Sequence, residues 1–164
     1  MILIKAITAV LVLFVAKTLS SEYKKYMEAK NAVNDGFVAL LDFIRNELSC
    51  RLRSVPQWAC EFENEALFDA GFISELSETG SLSRAFSNTR QRLPMLGGDA
   101  ARLLESYFSS FGRSYKDDEE KSAERVYNEM SRIAVKERAE SERSVRAVRI
   151  LCYGAALGII ILFL

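Results

Sequence analysis

The chain has 164 residues, 49% of them hydrophobic, which is enough for one domain of ordinary size with a buried core and excludes disorder as its default state. Its 22 Lys+Arg and 22 Asp+Glu cancel, so no whole-molecule field draws in nucleic acid, and the lack of histidine removes imidazole-dependent triads and the commonest transition-metal ligand. The three cysteines, Cys50, Cys60 and Cys152, fit neither a disulfide framework nor a CxxC zinc pattern, and 8 Gly with 2 Pro give little punctuation for hairpins, so long helices are expected.

The first element, MILIKAITAVLVLFVA from Met1 to Ala16, carries Lys5 as its sole charge. Extended to Ser20, it supplies a 20-residue membrane span with Lys5 and Lys17 at opposite ends. A cleaved signal peptide is the alternative, because Ala6 to Ala16 is an 11-residue apolar stretch followed by Thr18-Leu19-Ser20; Lys17 beside that site argues against cleavage. From Val33, the residues Phe37, Leu40, Leu41, Ile44 and Leu48 recur at helical spacing, which predicts a core helix ending near Leu52.

Ser54-Val55-Pro56-Gln57 reads as a capping box with proline in the first turn, opening a short helix in which Trp58 and Phe62 share a face. Short helical runs follow before Gly71 and Gly80, and Ser81 caps another that carries Leu82, Ala85 and Phe86 and stops before Pro94. Asp99 is the natural cap of the next helix, whose Leu103, Leu104, Tyr107, Phe108 and Phe111 form a broad apolar face closed by Gly112.

From Lys116 neither Gly nor Pro appears until Gly154, so one helix runs on into the apolar C-terminal segment. Ala123, Val126, Met130 and Ile133 form its packing seam, whereas Lys136 to Arg143 is almost entirely polar and reads as a solvated stalk beside Tyr23, Tyr26 and Met27, with Glu142 and Arg146 paired at i,i+4. Val145 to Leu164 supplies 20 residues for a second span if Arg146 and Arg149 snorkel to the interface; a buried core helix is the alternative. Gly154 and Gly158 leave room there for close approach of another helix.

Flanking charge sets the orientation. Lys17, Lys24, Lys25 and Lys30 follow the first span, and Arg138, Arg143, Arg146 and Arg149 precede or open the second, against Lys5 alone on the far side. The positive-inside rule then puts the middle region in the cytoplasm and both termini across the membrane, with Lys17, Lys24, Lys25, Arg143, Arg146 and Arg149 as the topology determinants. The expected fold is all-α: a compact multi-helix bundle between two transmembrane helices, the last helix long and continuous into the membrane. The spans cover residues 1–20 and 145–164, and the helical cytoplasmic domain with its stalk covers 21–144. Phe37, Leu41, Ile44, Trp58, Phe86, Leu104, Phe108 and Met130 are the expected core.

No nucleophile, base and orienter can be assembled from these residues, and no catalytic, cofactor-binding or metal-ligating set is assigned. Asp117-Asp118-Glu119-Glu120 is a run of carboxylates whose directions diverge around a helix and which complements the helix dipole, so it reads as structural. Gly97-Gly98 matches no phosphate-binding motif, and Cys50 and Cys60 read as buried thiols. The aromatics follow the core pattern and are not interleaved with a basic face, so nucleic acid is not an expected partner.

The order of features resembles that of the stage III sporulation protein AB family of endospore-forming bacteria. The residues that carry the resemblance are the N-terminal span, Gly80-Ser81-Leu82 with Ala85-Phe86, Asp99 with Leu103 and Leu104 ahead of Phe111-Gly112, the long charged helix with Lys121, and Tyr153-Gly154 with Gly158 in the final span. The soluble region of that family is similar to the cytoplasmic domains of type II secretion and type IV pilus platform proteins. The resemblance implies a non-enzymatic platform or assembly component of the channel complex between mother cell and forespore, seated in the mother-cell membrane. Its implied partners are the lipid bilayer, other membrane subunits and a cytoplasmic secretion-type ATPase, with homo-oligomers allowed and no cofactor. A membrane-tethered helical regulatory or signalling protein is the alternative. A membrane enzyme with a metal on Asp117 or Glu120 is a third reading.

Overall fold

The computed structural model describes residues 2–50, 53–93 and 96–163, with side chains from Ile7 to Leu162 within them. Met1, the Lys5 side chain, Leu52, Pro94 and Leu164 lie outside the described residues, and with Leu52 the helix end expected near it; the helix capped by Ser81 stops before Pro94 as expected, at Thr89. Among the described residues seven α-helices follow in order: α1 Ile2–Cys50, α2 Val55–Ala59, α3 Glu65–Asp69, α4 Phe72–Thr79, α5 Leu82–Thr89, α6 Gly98–Ser110 and α7 Lys116–Phe163, with a 3-10 turn at Arg90–Arg92. The described residues contain no strand.

The chain divides into two compact units, one formed by Ala29–Lys136 and the other by Met1–Glu28 with Glu137–Leu164. Neither division coincides with the end of a helix, because α1 and α7 each run through it.

In the 29–136 unit, α1 buries Val33, Phe37, Leu40, Leu41 and Ile44, the residues spaced to fall on one helical face. Phe37 is fully buried, and its ring centroid lies 5.3 Å from that of Phe72, 6.0 Å from Phe86 and 6.5 Å from Phe108. Leu41, Ile44, Trp58, Leu67, Leu104 and Met130 belong to the same apolar cluster, so residues from all seven described helices meet in one core. Ala123, Val126 and Met130 face it from α7, with Ile133 partly buried beside them.

The short helices are set by their caps. At α2 the Gln57 side chain accepts the Ser54 backbone N–H at 3.1 Å, and Pro56 sits in the first turn, where its missing donor costs nothing. Phe62 does not share that helix with Trp58, because α2 closes at Cys60 after five residues; both rings nevertheless pack against Phe43, at 5.7 and 5.4 Å. Asn64 caps α3, accepting the Leu67 N–H at 3.1 Å. Asn64→Ala should therefore destabilise the fold by about 1 kcal/mol, read as a lower denaturation midpoint with an unchanged slope. A midpoint equal to wild type would mean that packing of Leu67 alone holds α3.

Two expected boundaries shift. Asp99 is not the cap of α6: the helix begins at Gly98, two residues earlier than that cap implies, with Gly97 in the extended capping conformation, and Asp99 lies in the first turn paired with Arg102 at 2.6 Å. A carboxylate there still complements the helix dipole. At the other end α6 stops at Ser110, where Phe111 turns to an extended ψ of 131° and stays half-buried against the core.

Candidate functional site

The second long helix, α7, contains an 18-residue window of mean hydropathy 1.9, of which 6% is buried, and by length and composition it can cross a membrane. Ile150, Leu151, Leu157, Ile161 and Leu162 are exposed on it. The N-terminal part of α1 likewise exposes Ile7, Val10, Leu11, Phe14, Val15 and Leu19. In this unit the buried positions belong to small residues, Ala16, Ser20, Ser141 and Ala156, and an apolar groove of about 480 Å³ is lined by Leu11, Val15 and Leu19 from α1 and by Leu151, Ala155 and Ile159 from α7. Small residues permit close backbone approach, and the large side chains are left facing outward.

Lys17, Lys24, Lys25, Arg143, Arg146 and Arg149 are all exposed. Lys24 pairs with Glu28 at 3.3 Å, Lys25 with Glu22 at 2.8 Å and Arg146 with Glu142 at 3.8 Å, each within one helical turn. Such exposed pairs contribute little to stability and leave these cations accessible to an interface. Gly154 and Gly158 have nothing within 4 Å of the position where a Cβ would stand.

The 29–136 unit has two internal polar contacts of note. Arg53 grips the nearly buried Glu47 with two hydrogen bonds of 2.8 and 2.7 Å and also pairs with Glu61, which ties the end of α1 to the α2–α3 connection. Glu119 is buried and accepts the Gly112 N–H at 3.3 Å, holding the α6–α7 turn in which Gly112 adopts φ +77°. That φ favours glycine. Burial, with a smaller push from the Glu119 carboxylate, raises the Tyr107 phenol above its usual range.

Within Asp117-Asp118-Glu119-Glu120, Glu119 turns inward while Asp117 and Asp118 face solvent, and no group of three or more candidate ligands converges among the described residues. The cysteines depart from expectation: Cys50 and Cys60 are exposed and Cys152 is half-buried. Cys50 ends α1 and Cys60 caps α2.

One surface was not anticipated from the sequence. From Ser54 to Ser83 the chain has no Lys or Arg but carries Glu61, Glu63, Glu65, Asp69, Glu75 and Glu78, a run hidden by the neutral total. Phe68, 62% exposed, stands in this segment over a groove of about 420 Å³ lined by Ala59, Phe62, Ile73 and Ser77 and rimmed by Glu63 and Glu65. A neighbouring groove of about 630 Å³ shares Asn64 and Glu65 and adds Asp35, Asp69 and Arg92.

Comparison of the chain with protein-family models, with characterised proteins and with solved structures found no match.

Proposed function

We propose that the chain is a non-enzymatic membrane platform, a compact helical domain carried in the cytoplasm by two membrane-crossing helices, residues 1–20 and 145–164. The observation that carries this reading is α7 itself: one unbroken helix contributes Ala123, Val126 and Met130 to a globular core and then continues into an exposed apolar segment long enough to span a bilayer. The exposed apolar side chains near the start of α1 support a second crossing, and the cations of both helices support a cytoplasmic domain. The sequence resemblance supplies the particular setting: an assembly component of the sporulation channel complex between mother cell and forespore, working with other membrane subunits and a secretion-type ATPase.

The native cysteines test the topology without substitution. A membrane-impermeant maleimide should leave Cys50 and Cys60 unmodified in intact cells and react with both after permeabilisation, because both are exposed in the domain. Reaction in intact cells would invert the orientation. For the biological setting, deletion of the gene should block spore formation. Normal spores, together with cross-linking that recovers neither a membrane subunit nor an ATPase, would transfer the assignment to a membrane-tethered regulatory protein.

A further inference from the structure

We infer that the groove at Phe68 is a docking surface for a basic segment of a partner protein, one that presents Lys or Arg around a single inserted apolar side chain. The inference needs only the folded 29–136 unit and is independent of the membrane and sporulation readings.

Among the described residues of that unit, the large hydrophobic side chains left exposed are Phe68, Tyr115 and Val135. Of these, Phe68 lines a groove whose floor already carries apolar groups from α2, α4 and the loop after α2. An exposed aromatic over an apolar depression with a polar rim is the usual form of a binding hot spot. Its neighbour Leu67 is fully buried, so α3 is anchored by one residue while it holds the next out to solvent.

Charge selects the occupant. Glu63, Glu65, Asp69 and Glu78 form no ion pair among the described residues, and Arg53, which borders the segment, is already engaged by Glu47 and Glu61. A two-fold contact with a second copy would set this face against itself and oppose like charges. Nucleic acid and anionic lipid headgroups are repelled for the same reason. A polypeptide segment with cations around an apolar residue satisfies both the groove and its rim, and a short amphipathic helix is the compact way to present that pattern.

The probe is a fluorescein-labelled helical peptide of Ala and Lys around a single central Leu, compared with the same peptide in which Glu replaces Lys. Binding to the full-length chain in non-ionic detergent is read by fluorescence anisotropy at several salt concentrations. The Lys peptide should bind, more weakly as salt rises, and the Glu peptide should not. Phe68→Ser should weaken binding by about tenfold. The combined change Glu63→Gln, Glu65→Gln, Asp69→Asn should weaken it and flatten the salt dependence. Asp117→Asn with Asp118→Asn and Glu124→Gln, an equal charge change elsewhere, should leave it unaltered. All these residues are exposed, so the variants should stay folded, with only the small loss that removing a first-turn carboxylate costs at Glu65, Asp117 and Asp118. Binding unaffected by Phe68→Ser, or reduced equally by the distant charge change, overturns the proposal. So does sedimentation showing self-association of the wild-type chain that Phe68→Ser abolishes, which would make a second copy the occupant.

Discussion

Phe37→Ala should destabilise the 29–136 unit by about 3–5 kcal/mol, the cost of removing a buried phenyl ring and leaving a cavity. Phe37 is 0% exposed and touches three other rings, from α4, α5 and α6, so no single neighbour can move in to fill the space without losing its own contacts. Domains of this kind have total stabilities of about 5–15 kcal/mol, so the change removes a large part of the margin and should lower protein abundance in cells as well as the melting temperature. Thermal denaturation followed by far-ultraviolet circular dichroism is the measurement, with the exposed Phe68→Ala as a reference within about 0.5 kcal/mol of wild type. A loss below about 1 kcal/mol would mean that the four rings do not act as one cluster.

Gly36→Val should destabilise by about 1–3 kcal/mol even though valine is the better helix former. A Cβ at position 36 would stand 2.8 Å from Asn64 Oδ1 and 2.9 Å from Leu67 Cγ. Neither atom is free to retreat: the first accepts the capping hydrogen bond from Leu67 N–H, and the second belongs to a fully buried side chain. Glycine is thus required here by the close approach of α3 to α1, not by its backbone angles. The clash and the cap share an atom, so the cost of Gly36→Val should shrink in an Asn64→Ala background. A double-mutant cycle with no coupling would show that α3 shifts as a rigid piece instead.

Much of this architecture was legible in the residues because the forces involved are periodic. Val33, Phe37, Leu40, Leu41 and Ile44 declare one face of a helix whatever surrounds them, and the absence of Gly and Pro from Lys116 to Tyr153 allows one uninterrupted ladder of hydrogen bonds. Boundaries were less legible where two signals competed. Gly97, Gly98 and Asp99 each suit a helix start, and local preference alone does not choose among them. A helix as short as α2 has no full period to read, so the place of Phe62 depended on its contact with Phe43 across the core. The exposure of Cys50 and Cys60 was not legible because residue type gives only an average burial, and their positions at helix ends decide it. At the Phe68 groove the charge signal was present in the sequence, but Leu67 and Phe68 are adjacent and equally apolar; only the packing of α3 against α1 separates inside from outside.

The aromatic cluster joins residues far apart in the chain, and this has a temporal consequence. On the ribosome, Phe37 emerges long before Phe108, and at roughly 5–20 residues per second the interval is about 4–14 s. Throughout it the apolar face of α1 from Val33 to Ile44 has no complete surface to close upon, and α7, which supplies Met130, arrives later still. A transcript truncated before α6 should therefore yield a product that keeps the Phe37 contacts with Phe72 and Phe86 but lacks the Leu104 and Phe108 side of the core, and that is cleaved faster by added protease than the whole chain.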